Sequence, residues 1–369
     1  MRSFGVEEEF LLVDAETGKH AAVGEELIAA TSLKDAGGRA TGPQGSSLTT
    51  EVQREQVEAV SAPFTCLTDL AAALKEGRAE ADRQAGAFGA RIAALGTSPL
   101  PALPHLVQKP RYRAMEERFQ LPLREHLMCG FHVHVGVNSP EEGVAVLDRI
   151  RIWLPILIAL SANSPYWQGK DTGYASFRYQ IWRRWPTAGP TVTFGSARSY
   201  HDLVEMLLSC NVLLDRGQIY FDARLSANHP TVEIRVPDVC TDPAHAVAIA
   251  GIVRALVETA ARDWADGKPH PAVPAEMLRL ASWRASRYGI GDELMHPELN
   301  RPRPAAECVQ TLLAHTGDAL TEAGDRTFVE DIVGQILDCG TGASRQRIIM
   351  DGAGSFRKLI LDAAKRTTS

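Results

Sequence analysis

Apolar and polar residues alternate with a period of two in four short segments, and the polar positions carry residues able to do chemistry. In Phe4 to Val13, residues Phe4, Val6, Phe10 and Leu12 share one face while Glu7 and Glu9 project from the other. In Phe131 to Val137, Phe131, Val133, Val135 and Val137 oppose His132, His134 and Gly136. Tyr220 to Leu225 sets Asp222 and Arg224 against Phe221, Ala223 and Leu225, and Thr231 to Val236 sets Val232, Ile234 and Val236 against Thr231, Glu233 and Arg235. This pattern predicts antiparallel strands with one face under helices and the other open. Ser226 to Pro230 separates the last two segments and predicts a hairpin. Glu8 falls on the apolar face of its strand, where an unpaired carboxylate is costly, so it requires a partner or an edge.

Helical signals lie between and after these strands. Ser139-Pro140-Glu141-Glu142 combines an N-cap, a proline at the first helical position and a capping-box glutamate, and predicts one helix through Leu160. Asp242-Pro243 opens another, to about Trp264. Further helical patterns occupy about 69–88, 199–214, 273–287, 305–315, 325–337 and 355–366. The class is α+β, with no internal repeat and no Gly/Ser- or Pro-rich linker to mark a boundary.

Charge and composition narrow the partners. The 369 residues carry 39 Lys+Arg against 45 Asp+Glu, which gives no electrostatic reason to expect nucleic acid or an anionic membrane surface. The longest uncharged stretch, Ile152 to Gly169, is broken by Pro155, Asn163, Pro165 and Gln168 and reads as a buried helix with its exit loop, too short for a bilayer span. Met1 to Phe4 runs into the first strand without an apolar leader, which predicts a cytoplasmic protein. The six cysteines show no C-x-x-C and are expected to be reduced core thiols.

The candidate chemistry sits on the polar strand faces. Glu7 and Glu9, two apart on a strand, stand roughly 6–7 Å apart at their roots, so each can serve a different divalent ion. His132 and His134 can ligate a metal, bond a nucleotide or face water. Glu233 and Arg235 put a hard-cation ligand and a phosphate-binding guanidinium on one face. Glu51 and Glu58 point to opposite faces of a pure strand and share one face of a helix, so a common site requires the chain to bend between them. No P-loop and no G-x-G-x-x-G follows a strand, so a bound nucleotide would lie on the sheet face.

Five phrases, Gly5 to Asp14, Gly130 to Val137, Leu160 to Arg178, Thr231 to Cys240 and Gly340 to Arg347, with Glu51 and Glu58 between the first two, resemble in order the motifs of the carboxylate-amine ligases. This is the glutamate-cysteine ligase type 2 family within the glutamine synthetase-like superfamily. The resemblance implies a curved antiparallel sheet with helices on its convex face, and ATP and Mg²⁺, or Mn²⁺, on the other. It implies that Glu9, Glu51 and Glu58 hold one metal and Glu7, His132 and Glu233 the other. By the same resemblance His134 touches the nucleotide, Arg235 the transferring phosphoryl, Arg178 the carboxylate substrate, and Arg224 and Arg345 substrate or phosphate. Leu225 and Pro230 stand where the family usually has proline and glycine. The implied reaction is amide-bond formation through an acyl phosphate, between a carboxylate such as glutamate and an amine such as cysteine, in a homo-oligomer, with a dimer favoured. The rivals are a guanidino-kinase-like phosphotransferase and a non-catalytic nucleotide- or metal-binding module. A metal shared by Glu7 and Glu233 would draw strands from most of the chain into one domain spanning 1–369.

Overall fold

The computed structural model describes residues 1–32, 40–41 and 46–369. Its main sheet is built from β1 (Phe4–Asp14), β2 (Ala40–Thr41), β3 (Ser47–Thr50), β4 (Gln56–Val60), β5 (Ala90–Ala93) and β6 (Phe131–Gly136). A ribbon of β7 (Tyr166–Trp167) and β8 (Lys170–Asp171) stands apart, β9 (Ala223–Leu225) and β10 (Thr231–Ile234) complete the sheet, and β11 (Glu293–Met295) pairs β12 (Pro302–Pro304). The strand order is β2-β3-β4-β1-β6-β10-β9, with β5 on the distal part of β1, and every pairing is antiparallel.

The helices are α1 (Gly24–Ser32), α2 (Leu67–Gly86), α3 (Pro110–Phe119), α4 (Leu121–Arg124), α5 (Pro140–Ile150), α6 (Leu154–Ser161) and α7 (Phe177–Trp182). After these come α8 (Ala197–Ser209), α9 (Pro243–Ala265), α10 (Ala275–Tyr288), α11 (Ala305–Ala323), α12 (Arg326–Cys339), α13 (Gly342–Ala353) and α14 (Phe356–Thr367). Helix α5 starts as its sequence requires: Ser139 Oγ accepts from Glu142 N at 3.1 Å. The expected single helix 139–160 is two, because Pro155 has no N–H to give and its ring excludes the carbonyl four residues back, so the chain turns at Arg151 to Trp153.

One face of the sheet packs on helices. Val133, Val135, Val232 and Ile234 join Val144 and Val146 of α5 and Ile252, Val253 and Leu256 of α9 in the main core. Helix α9 has the length and apolar composition of a membrane span, but most of it is buried in this core. The other face is open only in part: Leu11 and Val13, beyond Glu9 on β1, are buried against α1, β5 and α14. The glutamates Glu7 and Glu9 thus lie in the open half of the central strand, backed by a closed half.

Glu8 finds its partner on α2. Arg78 donates Nε to Oε2 at 3.0 Å and Nη2 to Oε1 at 2.5 Å, and it also donates to the carbonyls of Cys240, Thr241 and Thr367. Three expectations change. The strand expected at 220–225 is ordered as β9 only from Ala223, Phe221 instead bridging Gly189. The helix expected to end at 315 continues to Ala323, where Gly324 in the left-handed region stops it. Cys66, Cys210 and Cys339 are exposed, so only Cys129, Cys240 and Cys308 are core thiols.

Candidate active site

Register decides which polar residues meet. Antiparallel pairing sets Glu9 opposite Glu58, Glu7 opposite His132, and Glu233 opposite both His134 and Arg224. Because side chains of opposed residues share a face, β9, β10, β6, β1 and β4 each deliver one or two functional groups to the same surface. Glu51 arrives by the bend its spacing demanded: β3 and β4 are joined by a hairpin through residues 51–55, and Thr49 lies opposite Glu58.

Among the described residues three overlapping groups bring ligand atoms within 4.8 Å of one another: Glu9, Glu51 and Glu58; Glu7, Glu58 and His132; and Glu7, His134 and Glu233. The first is the set expected. The second expected set, Glu7, His132 and Glu233, is redistributed, since Glu233 lies beside His134 in the pairing register while His132 stands between Glu7 and Glu9. His134, expected on the nucleotide, therefore also sits among possible metal ligands.

The imidazoles are aimed. His132 Nδ1 lies 3.0 Å from Glu7 Oε2 and His134 Nδ1 lies 3.0 Å from Thr231 Oγ1, which fixes both ring planes. Their Nε2 atoms are buried without a hydrogen-bond partner, 3.8 Å from Glu9 Oε1 and 3.2 Å from Glu7 Oε1 respectively. Burial raises the Glu7 carboxyl, but the hydrogen bond from His132 and the close approach of the His134 imidazole overcome it and hold the group well below its usual range. Burial, then the neighbouring Glu9, pushes Glu51 up to about 8, and burial with Glu7, Glu51 and Glu9 drives Glu58 well upward. Crowded carboxylates with raised affinity for protons, facing orphaned imidazole nitrogens, fit a divalent cation. The mostly oxygen donor set with imidazole suits Mg²⁺ and tolerates Mn²⁺.

The arginines separate. Arg224 forks onto Glu233 at 2.8 and 3.1 Å while its Nη1 donates to the carbonyls of Gly217 and Ile219. Arg235 Nη1 pairs with Oε1 of the same carboxylate, the oxygen that Arg224 Nη2 also meets, and its guanidinium stacks on Trp182 and Tyr220, 5.0 and 5.8 Å from the ring centres. Burial raises Glu233, but these two arginines reverse the effect and bring it down to about 2. Arg178 shares the Trp182 ring with Arg235 and has its side chain 2% exposed, donating to the Arg235 and Val236 carbonyls. Arg345 is elsewhere, forked onto Asp362 between α13 and α14.

A cavity of about 600 Å³ opens over the β9–β10 hairpin, lined by Glu7, His134, Arg224 and Glu233 on the floor and by Arg111, Arg216 and Asn228 on the rim. Its size falls in the range of small-molecule sites. Sequence reasoning missed three parts of this region. Gly130 N donates to Glu9 Oε2 at 2.6 Å, Trp182 underlies Arg235, and Arg111 on α3 spans to Asp215 at 2.7 Å. Trp182 follows Arg178 by one helical turn, the spacing that could have flagged it.

The profile of the glutamate-cysteine ligase family 2 matches residues 3–362. The chain is 46% identical over 367 residues to a Streptomyces avermitilis protein bearing the name "Putative glutamate--cysteine ligase 2-1", covering 100% of this chain and 99% of that one. It is 45% identical over the same length to a Streptomyces coelicolor protein of similar name, again covering 100% and 99%. Its fold is similar to that of a bifunctional glutathione synthetase from Pasteurella multocida, with TM-score 0.71 and 19% identity, covering 100% of this chain and 52% of that chain, so it spans about half of the larger protein. A Francisella tularensis glutamate-cysteine ligase solved in complex with AMP gives TM-score 0.69 at 14% identity, covering 100% of this chain and 88% of that one. The fold is the one shared with these two proteins, and the chain belongs to glutamate-cysteine ligase family 2.

Proposed function

We propose that the protein is an ATP-dependent carboxylate-amine ligase that activates a carboxylate as an acyl phosphate and passes the acyl group to an amine. The observation that carries this reading is the set of three overlapping carboxylate and imidazole groups beside Arg235 on one sheet face. A carboxylate resists attack by an amine in water, so its oxygen must leave as something better than oxide. In the proposed reaction a substrate carboxylate oxygen bonds to the γ-phosphorus and ADP departs. The amine then bonds to the acyl carbon, loses a proton, and phosphate departs with the oxygen. Divalent cations held by Glu9, Glu51, Glu58, Glu7, His132, His134 and Glu233 would neutralise charge on the phosphate oxygens.

The protein's own groups position and stabilise. Arg235, locked by Glu233 and two aromatic faces, offers a fixed cation to the phosphoryl in flight, and it pays no reorganisation energy at that moment. Arg224 forks onto both oxygens of Glu233, which with Arg235 keeps that carboxylate ionised and able to receive a cation. No covalent nucleophile is required. Glutamate and cysteine are the first pair to test, because they are the substrates in the names of its relatives.

The test is a panel of carboxylate and amine pairs with ATP and Mg²⁺ or Mn²⁺, reading ADP release and product mass. An amide product formed only with both substrates is expected, and Glu9→Gln or Glu233→Gln should abolish turnover in a folded protein. Full activity in either variant sinks the site assignment. A phosphorylated product accumulating without amine would make the protein a phosphotransferase, and ATP binding without ADP formation across the panel a binding module.

A further inference from the structure

Arg178 is placed too deep to meet a substrate. Its guanidinium lies in a closed pocket beneath Arg235, and both side chains stack on the same indole of Trp182, at 5.4 and 5.0 Å. Nη1 and Nη2 donate to the carbonyls of Val236 and Arg235 at 3.2 and 3.3 Å. A Cβ added at Gly130 would run into this guanidinium, so the arginine packs directly on the backbone whose N–H holds Glu9. The counter-charge is Asp238, fully buried, its Oδ1 3.9 Å from Arg178 Nη1. Asp238 accepts from Ser164 Oγ at 2.7 Å, Asn163 N at 2.8 Å and Ser176 Oγ at 2.8 Å. Asn163 is held in turn by Gln346 of α13, which donates to its backbone and side-chain oxygens at 3.0 and 2.8 Å. Two sequence phrases that the reaction left without a task, Leu160 to Arg178 and Gly340 to Arg347, meet in this cluster.

We propose that Arg178 is a positioning residue: set beside Asp238, it holds the backbone of Arg235 and the seat of Glu9 from a buried place on the site's own face, and it does not touch substrate. This rests on the ligase reading of the Glu9, Glu51 and Glu58 group. Nη1 and Nη2 meet two carbonyls and Nε is buried without a partner, and an anion has no route to it because the side chain is 2% exposed and closed over by Gly130 and Trp182. Loss of either member of the pair leaves the other charged and buried, and the backbone on which Glu9 and Arg235 depend relaxes.

The test uses the full chain and Mn²⁺ alone as probe, titrated by electron paramagnetic resonance well below the melting temperature. The variants are Arg178→Lys, which keeps the charge beside Asp238 but cannot fork to two carbonyls, and the isosteric Asp238→Asn. Both are expected to remain folded by circular dichroism and to bind Mn²⁺ about 10-fold more weakly, the usual effect of disturbing groups behind a metal ligand. With glutamate as the carboxylate, kcat should fall by about 10- to 100-fold while KM for glutamate stays within about twofold. Mn²⁺ affinity within twofold of wild type in both variants overturns the proposal. So does a tenfold rise in KM for glutamate at unchanged Mn²⁺ affinity, the signature of a substrate contact. Glu9→Gln runs alongside: if it binds Mn²⁺ as wild type does, the metal reading itself falls, whereas weak binding there with normal Arg178→Lys and Asp238→Asn overturns the positioning role alone.

Discussion

Glu51 and Glu58 bear their charge poorly without a counter-ion, and this has a measurable sign. Burial and the adjacent Glu9 raise the Glu51 carboxyl from 4.5 to about 8. A raised value in the fold means that the protonated form contributes stability in full below the unfolded value and that this contribution is lost as pH rises through about 8. In EDTA, Glu51→Gln should therefore gain on wild type by a few degrees of Tm between about pH 5 and about pH 8.5, a difference that thermal scans at several pH values will read. A pH-independent difference rejects the assignment. Glu233 is the opposite case. Its depressed carboxyl contributes stability above its ordinary value of 4.5 that disappears as pH falls towards about 2. Cation binding at Glu51 must displace a proton, so Mn²⁺ titration in weak buffer near neutrality should acidify the solution, and affinity should rise with pH. The residue types were legible in the chain, and alternation gave their faces. Their protonation was not legible, because it depends on which charges the register brings within a few ångströms.

At the scale of elements, β1 is both the source of Glu7 and Glu9 and the strand tied deepest into the molecule. The Glu8–Arg78 pair joins it to α2, to the segment after β10 and to the end of α14. Arg78→Ala should cost about 3–5 kcal/mol in urea unfolding, since it strands a buried carboxylate and three carbonyls. The double change Glu8→Leu with Arg78→Met should recover most of that loss, and a single-variant cost below about 1 kcal/mol would show that the pair is not buried as described. The alternation of β1, β6 and β10 is legible in the sequence because each strand's apolar half is imposed by one packed face. The β3–β4 hairpin is not legible in the same way. Residues 51–55 contain no Gly, Pro, Asn or Asp to announce a turn, and their bend is held from a distance, by Gln53 on the Leu123 carbonyl and by Glu55 on His105. The split between α5 and α6 was legible at Pro155, yet the uninterrupted apolar run on either side hid it.

For the whole molecule, strands from Phe4 to Ile234 share one sheet, and α14 returns the end of the chain to β5 through Thr367 Oγ1, which accepts from Ala94 N at 2.9 Å. We propose on this basis that the chain unfolds as one domain. Far-UV dichroism and tryptophan fluorescence should give coincident urea transitions, with Mn²⁺ moving both together, and two separated transitions would divide the chain. The amino-acid sequence by itself determined the fold class, the strand faces, the carboxylates and imidazoles on them and the family, because a period of two and a motif are local and survive any tertiary arrangement. Only the tertiary structure decided which ligands share a group, that Glu8 is paired, that Arg345 belongs to Asp362 and that Arg178 faces Asp238. The physical reason is range. A side chain's direction follows from its neighbours in the chain, whereas its partner is fixed by register and by burial, which are properties of segments up to hundreds of residues apart.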